Sequence, residues 1–175
     1  STFGVTDDDV DVISKIEGVK VVEPSYSVDL LHETEEAQKE IHIMALQENM
    51  NQVILLEGRM PKKPGECLAD NLSSYKIGDK IPLTTGTEDD VLDTLAVDEL
   101  EVVGTASSAM YVSLSRGSTT VGTGSIEGFL AVTEDTFDMD VYTELYVQVE
   151  GAKELIAYSD EYEEKVENVL EKVEA

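Results

Sequence analysis

Residues 55–86, LLEGRMPKKPGECLADNLSSYKIGDKIPLTTG, determine the class of fold. Glycine or proline interrupts the short apolar runs of this stretch, at Gly58, Pro61, Pro64, Gly65, Gly78, Pro82 and Gly86. Because both residues favour turns and weaken helices, the pattern predicts short strands joined by tight turns. We expect strands at 67–69, 80–83 and 100–103, with an acidic loop over 88–98.

The segment before this stretch begins with a helix signal. Thr6 can cap a helix in which Asp9 completes a capping box, and Gly18 is expected to end the helix. Residues 19–31 are rich in valine and leucine among polar residues, which predicts strand structure. The acidic residues 33–40 are expected to form a hairpin connection to a returning strand.

The segment after this stretch restores longer elements. Strands are expected at 129–132 and 145–149, with a short helix or turn over 133–140 between them. The last segment is a helix, because apolar side chains recur in it at spacings of four, three and four residues. These four residues, which we call the helix seam, are Tyr162, Val166, Val169 and Val173.

This order of elements predicts an α+β fold with two lobes. We expect residues 1–54 and 126–175 to form a mixed α/β lobe built from both ends of the chain. Residues 55–125 are expected to form a small-β lobe inserted into it. The 175 residues suit this division, since domains commonly contain about 100–200 residues.

The charge of the chain excludes two classes of partner. There are 38 acidic and 12 basic residues, which gives a formal net charge of -26. Nucleic-acid backbones and anionic lipid headgroups are bound by clusters of lysine and arginine, and the only adjacent basic pair is Lys62-Lys63. We therefore expect no nucleic-acid partner, and we interpret the acid excess as a source of solubility, with cation binding as the alternative.

Few residues suit metal or redox chemistry. Cys67 is the single cysteine, so the chain has no intramolecular disulfide and no cysteine-rich zinc site. His32-Glu33 begins like a zinc-hydrolase helix, but Glu36 occupies the position of the second histidine. We expect His32 and His42 to be exposed strand residues.

Two further patterns are incomplete versions of catalytic or nucleotide-binding motifs. Ser73 and Lys76 match the serine-x-x-lysine pattern of acyl-transfer enzymes, but the accompanying motifs of those enzymes are missing. Gly122 and Gly124 lack the third glycine of a dinucleotide-binding loop. We expect no catalytic, cofactor-binding or metal-binding residues; a hydrolase that uses Ser73 or a pair of carboxylates is the enzymatic alternative.

A loop rich in serine, threonine and glycine follows residue 112 and is the predicted contact surface. An exposed tyrosine and arginine among small hydroxyl residues suit adaptable recognition of a partner. The predicted contact residues are Tyr111, Arg116, Ser118 and Thr120. The alternative is that the loop is a mobile linker.

Several short motifs, in order, resemble those of a known family. They are LEGRMP (56–61), GEC (65–67), IGDKI (77–81) and VVG (102–104), followed by SAMY, RGS, GTG and GF between residues 108 and 129. Together with the IEGV in which the first helix is expected to end, they resemble the MacB-like periplasmic core domain of FtsX-type permeases in ABC transporters. The later motifs are similar to those of large permeases of Gram-positive bacteria.

The resemblance implies a role outside the cytoplasm. It implies a non-catalytic domain of a cell-membrane protein, placed between two transmembrane helices and moved by a cytoplasmic ATPase subunit. It would bind an extracellular substrate or protein, and the helix seam would carry movement between it and the membrane helices. The first residues, Ser-Thr-Phe, and the uncapped final helix lead us to expect membrane segments beyond both ends. The alternative is a free-standing secreted acidic binding or adhesion module.

Overall fold

The structure is a computed structural model that describes residues 4–35, 37–111, 119, 121–122 and 126–174. Its helices and strands are α1 (Asp7–Ile13), β1 (Val19–Ser25), β2 (Ser27–Glu33), β3 (Gln38–Ala45), β4 (Val53–Gly58), β5 (Glu66–Asp70), β6 (Lys80–Pro82), β7 (Glu99–Ser108), β8 (Ile126–Val132), β9 (Glu144–Val149) and α2 (Asp160–Glu174). The fold is therefore α+β, as predicted. The strands expected at 67–69, 80–83, 100–103, 129–132 and 145–149 correspond to β5 to β9.

The chain divides into two compact units. One, the terminal unit, contains residues 1–24 and 141–175, and the other, the central unit, contains residues 25–140. These boundaries differ from the predicted ones at 54/55 and 125/126. The difference arises because β5 pairs with β8, so strands assigned to two separate lobes share one sheet.

The terminal unit contains α1, the β1–β9 pair and α2. The predicted capping box is present at α1, since the Thr6 amide donates to Asp9 Oδ2 at 2.8 Å and the Asp9 amide donates to Thr6 Oγ1 at 3.4 Å. The helix ends at Ile13, five residues before Gly18. Val149, Ala152 and Val169 form the small core of this unit.

The central unit is built around one mixed sheet in the order β2-β3-β8-β5-β7-β4, and β6 also pairs with β7. The pairs β3–β8 and β5–β7 are parallel, and the other described pairs are antiparallel. Strand β8 lies between β3 and β5, where Leu130 is opposite both Ile43 and Ala69. The predicted hairpin between β2 and β3 is confirmed.

Both faces of the middle strands are buried. Neighbouring residues of β8 belong to different apolar clusters, with Leu130 in the larger cluster and Phe129 in the smaller one, because successive side chains of a strand point to opposite faces. The same holds for Cys67 and Leu68 of β5, in which every residue is buried. This two-sided burial accounts for the uninterrupted apolar run Phe129-Leu130-Ala131-Val132.

Truncation of a buried middle-strand residue should destabilise the protein strongly. Leu68 is fully buried in the smaller cluster, so Leu68→Ala is expected to lower the free energy of unfolding by about 2–5 kcal/mol. Leu72 lies four residues further along the chain and is 57% exposed. Leu72→Ala should therefore change the free energy of unfolding by less than about 0.5 kcal/mol. Urea unfolding of both variants measures the difference, and equal losses would contradict the two-sided core.

Candidate interaction site

The first predicted contact residue, Tyr111, ends a short 3-10 helix, Ala109–Tyr111, directly after β7. Its ring stacks on Phe129 with centroids 5.3 Å apart, and the His42 ring lies 6.2 Å from it. Tyr111 is thus half-buried against the smaller apolar cluster rather than exposed. Arg116, Ser118 and Thr120 lie outside the described residues.

A row of side chains across three strands lies next to Tyr111. Asp29 on β2 is opposite His42 on β3, and His42 is opposite Phe129 on β8. The His42 Nδ1 and Asp29 Oδ1 atoms are 2.7 Å apart, and both side chains are partly exposed. Because directly opposed residues point to the same face of a sheet, the row forms a polar and aromatic platform beside Tyr111.

A second polar cluster surrounds His32, which was expected to be exposed and is instead buried. His32 Nδ1 is 2.8 Å from the Tyr75 hydroxyl, and Lys39 Nζ lies 5.0 Å from the centroid of the Tyr75 ring. Lys39 Nζ also donates to Ser74 Oγ at 2.6 Å. The prediction for His32 was wrong because the segment that carries Tyr75 contacts the imidazole ring, which a strand pattern does not reveal.

Burial lowers the pKa of His32 below its usual value, and the charge of Lys39 lowers it further. Burial also raises the pKa of the Tyr75 hydroxyl above its usual value. Both groups are therefore neutral near pH 7. A neutral hydrogen-bonded pair of this kind fixes the position of the Tyr75 segment against β2.

The serine of the serine-x-x-lysine pattern makes a local turn contact. Ser73 Oγ donates to the carbonyl oxygen of Asp70 at 2.6 Å, so its hydroxyl hydrogen is directed at the backbone. The Lys76 amide donates to Asp79 Oδ2 in the following turn. Among the described residues, no group of three or more His, Cys, Asp or Glu side chains is placed to bind a metal ion. No helix in the described ranges is long and apolar enough to cross a bilayer.

Arg59 binds a carboxylate within the central unit. Its Nη1 and Nη2 atoms donate to Glu66 Oε2 and Oε1 at 2.8 and 2.7 Å, and the Lys62 amide donates to Oε2 at 2.9 Å. The Arg59 guanidinium, with the Lys62 amide, lowers the pKa of Glu66 to about 2. The stability contributed by this pair is complete above the usual glutamate pKa and is lost as the pH falls toward about 2.

The helix seam lies against the sheet of the terminal unit. Val169 is buried in the core of this unit, and Tyr162, Val166 and Val173 pack around that core. An apolar cavity of about 90 Å³ lies beside the seam, lined by Val147, Val149, Val166, Val169, Leu170 and Val173. The 3.6-residue period therefore identified the packed face of α2 correctly.

No protein-family model and no curated protein matches the chain by sequence. A match exists among solved structures. The extracellular domain of the noncanonic ABC-type transporter YknZ from Gram-positive bacteria superposes with a TM-score of 0.52, over 88% of this chain and 78% of that domain, at 12% identity. The chain has a fold similar to this extracellular domain. The fold expected from the sequence resemblance is confirmed.

The periplasmic region of MacB from Actinobacillus actinomycetemcomitans also matches, with a TM-score of 0.46. That match covers 96% of this chain and 73% of the MacB region, at 11% identity.

Acid should destabilise the protein partly through His32. Its folded-state pKa is lowered, so the folded state binds fewer protons than the unfolded state as the pH falls through the usual histidine range, about 6.5. Stability is thus complete above that range and is lost as the pH falls toward the folded pKa. His32→Gln should reduce the fall in Tm between about pH 7 and 5, measured by calorimetry, since glutamine does not titrate.

Tyr75→Phe is the matched control for this measurement. It removes the hydroxyl that contacts His32 Nδ1 but leaves the imidazole beside a ring that still shields it from water. The pH dependence of Tm should therefore persist in Tyr75→Phe. An undiminished pH dependence in His32→Gln would contradict the role assigned to burial of His32.

Proposed function

We propose that this chain is an extracytoplasmic domain of an ABC transporter permease, which binds a partner or substrate and is coupled to the movement of transmembrane helices. The observation that carries the proposal is the likeness of fold to the extracellular domain of YknZ over 88% of the chain. The proposed surroundings are the transmembrane helices of the permease and a cytoplasmic ATPase subunit. The protein is a cell-membrane protein with this domain outside the cytoplasm.

The local chemistry supports a binding role rather than catalysis. The Ser73 hydroxyl donates to a backbone carbonyl, and the neutral His32–Tyr75 pair and the Arg59–Glu66 pair hold neighbouring segments together. Each of these groups, which could otherwise take part in acid–base chemistry, therefore makes a contact that stabilises the fold. We assign partner binding to the predicted contact residues Tyr111, Arg116, Ser118 and Thr120, together with His42 and Asp29 beside Tyr111.

We assign mechanical coupling to the helix seam. A helix transmits displacement to a sheet when its apolar side chains interlock with that sheet, because packed interiors deform little. Val169 is buried in such packing beside Val149, while the opposite face of α2 is acidic and exposed. Movement applied to α2 by a membrane helix would therefore reach the β1–β9 pair through the seam.

Cysteine labelling of the full-length protein in intact cells tests the proposed location. Glu88→Cys places a thiol on the exposed acidic loop, so it should react with a membrane-impermeant maleimide before lysis and remain in the membrane fraction. The parent protein is the control, because Cys67 is fully buried and burial raises the pKa of its thiol to about 12. Labelling only after lysis would overturn the proposal, and labelled protein in the medium would favour a secreted module.

A fluorescent reporter on α2 tests the coupling. In the full-length permease with its ATPase in lipid discs, a dye at Glu171→Cys should change its emission when ATP and vanadate are added. Val169→Ala should reduce that change, because it removes the most buried side chain of the seam. The exposed neighbour Asn168→Ala should leave the change intact. A response that is equal in both variants would contradict coupling through the seam.

A further inference from the structure

Strand β4 is an exposed apolar edge of the central sheet. It lies at the end of the strand order, and among the described strands its only neighbour is β7. Three successive side chains are exposed to 63%, 38% and 51% of their full area: Ile54, Leu55 and Leu56. Soluble proteins usually protect such an edge with charged residues or proline within the strand, because it can pair with another chain. Within β4 the only charged residue is Glu57, and a single irregularity in the pairing with β7 lies between Leu55 and Glu57.

The apolar surface continues beyond the strand. Gly58 adopts a positive φ of 78°, and a Cβ placed there would lie 2.9 Å from Ile77 Cδ1, so the Ile77 side chain lies directly over the end of β4. Ile77 is itself 48% exposed. We call Ile54, Leu55, Leu56 and Ile77 the edge patch. Such a patch on a strand with an open edge among the described strands is typical of a surface that accepts an added strand.

The segment that follows β4 is rich in basic residues, although the exposed Glu57 of β4 and Glu101, whose charge acts on Arg59, are acidic. Residues 59–80 contain five basic side chains against three acidic ones, a net charge of +2 in a chain of net charge -26. Arg59 is paired with Glu66, and Lys80 Nζ lies 3.5 Å from Glu99 Oε1. Lys62, Lys63 and Lys76 are exposed, and within the described part of the chain they form no ion pair.

We infer that β4 binds an extended segment of a partner protein by strand addition, and that this segment carries aliphatic side chains followed or preceded by carboxylates. The backbone of the segment would hydrogen-bond to the outer edge of β4, and its aliphatic side chains would cover the edge patch. Its carboxylates would lie near Lys62, Lys63 and Lys76 at the end of the strand. The inference does not depend on the proposed transporter function, since it uses only the central unit.

The charge distribution favours this occupant over a second copy of the chain. Two copies, each of net charge -26, repel each other at long range, and a short edge-to-edge pair of six-residue strands buries little area. A foreign segment with a few acids can instead pair with the exposed Lys62, Lys63 and Lys76, which form no ion pair within the described part of the chain. Self-association is therefore a distinct outcome of the experiment below.

Peptide binding to the full chain tests the inference. The acidic probes are two fluorescent peptides that contain eight residues of alternating valine and threonine. One carries three acidic residues at its amino end and the other carries them at its carboxyl end. In the matching lysine probes, three lysines replace the acidic residues. Fluorescence anisotropy should show binding of an acidic probe that weakens with salt, and weaker binding of the lysine probes. Methylation of alternate backbone nitrogens of the binding probe should abolish binding, because strand addition needs those N–H groups.

Variants of the chain locate the binding surface. Ile54→Lys/Leu56→Lys should lower the affinity by about tenfold or more, as changes at central contact residues do. The control Leu72→Lys alters a leucine of similar exposure away from β4 and should leave the affinity unchanged. Lys62→Glu/Lys63→Glu should lower it by about three- to tenfold. Lys15→Glu/Lys20→Glu changes the net charge equally in the terminal unit and should have no effect.

Three results would overturn the inference. They are the absence of binding by both acidic probes at the highest soluble concentration, equal binding of acidic and lysine probes, and full binding by Ile54→Lys/Leu56→Lys. A fourth result would also overturn it: sedimentation shows that the unmodified chain is a dimer and that Ile54→Lys/Leu56→Lys is a monomer. Thermal unfolding of each variant confirms that it is folded. Cell-surface labelling at Glu88→Cys reports separately on the proposed function.

Discussion

The central unit depends on the insertion of β8 between β3 and β5. This strand pairs in parallel with β3 and antiparallel with β5, so it joins segments that are far apart in the sequence. Its residues from Gly128 to Val132 are buried on both faces. Without β8, the β2–β3 hairpin and the strands from β4 to β7 would share no sheet. The two apolar clusters on the faces of the sheet, and the platform at His42 and Phe129, exist only because this strand is in place.

Local chemistry allowed the elements to be predicted, but not their pairing. Thr6 and Asp9 identify a helix start because a capping box involves residues three apart. The Gly and Pro pattern of residues 55–86 predicts β5 and β6 because these residues form the turns between short strands. The parallel pairing of β3 with β8 involves strands separated by about eighty residues, and a strand pattern carries no signal for its partner. The predicted lobe boundaries therefore differ from those of the two compact units.

In the candidate sites, too, local contacts could be predicted from the sequence and contacts between distant segments could not. The helix seam was predicted because helical spacing leaves a clear sequence signal. The burial of His32 and Tyr111 was missed, because it depends on the segments that carry Tyr75 and Phe129. Strand β4 was missed as well, since no strand was expected at residues 53–58 and the predicted lobe boundary at 54/55 falls inside it. The strand order then places β4 at the border of the sheet.

Cys67 lies in the middle of this sheet, opposite Val102 on β7 and Val132 on β8. Its thiol is fully buried, and burial raises its pKa to about 12, so the thiolate that attacks disulfides is almost absent at neutral pH. The folded chain therefore cannot form mixed disulfides with glutathione or an oxidoreductase through this residue. A change between an oxidising and a reducing compartment is therefore expected to leave the packing around Cys67 unaltered.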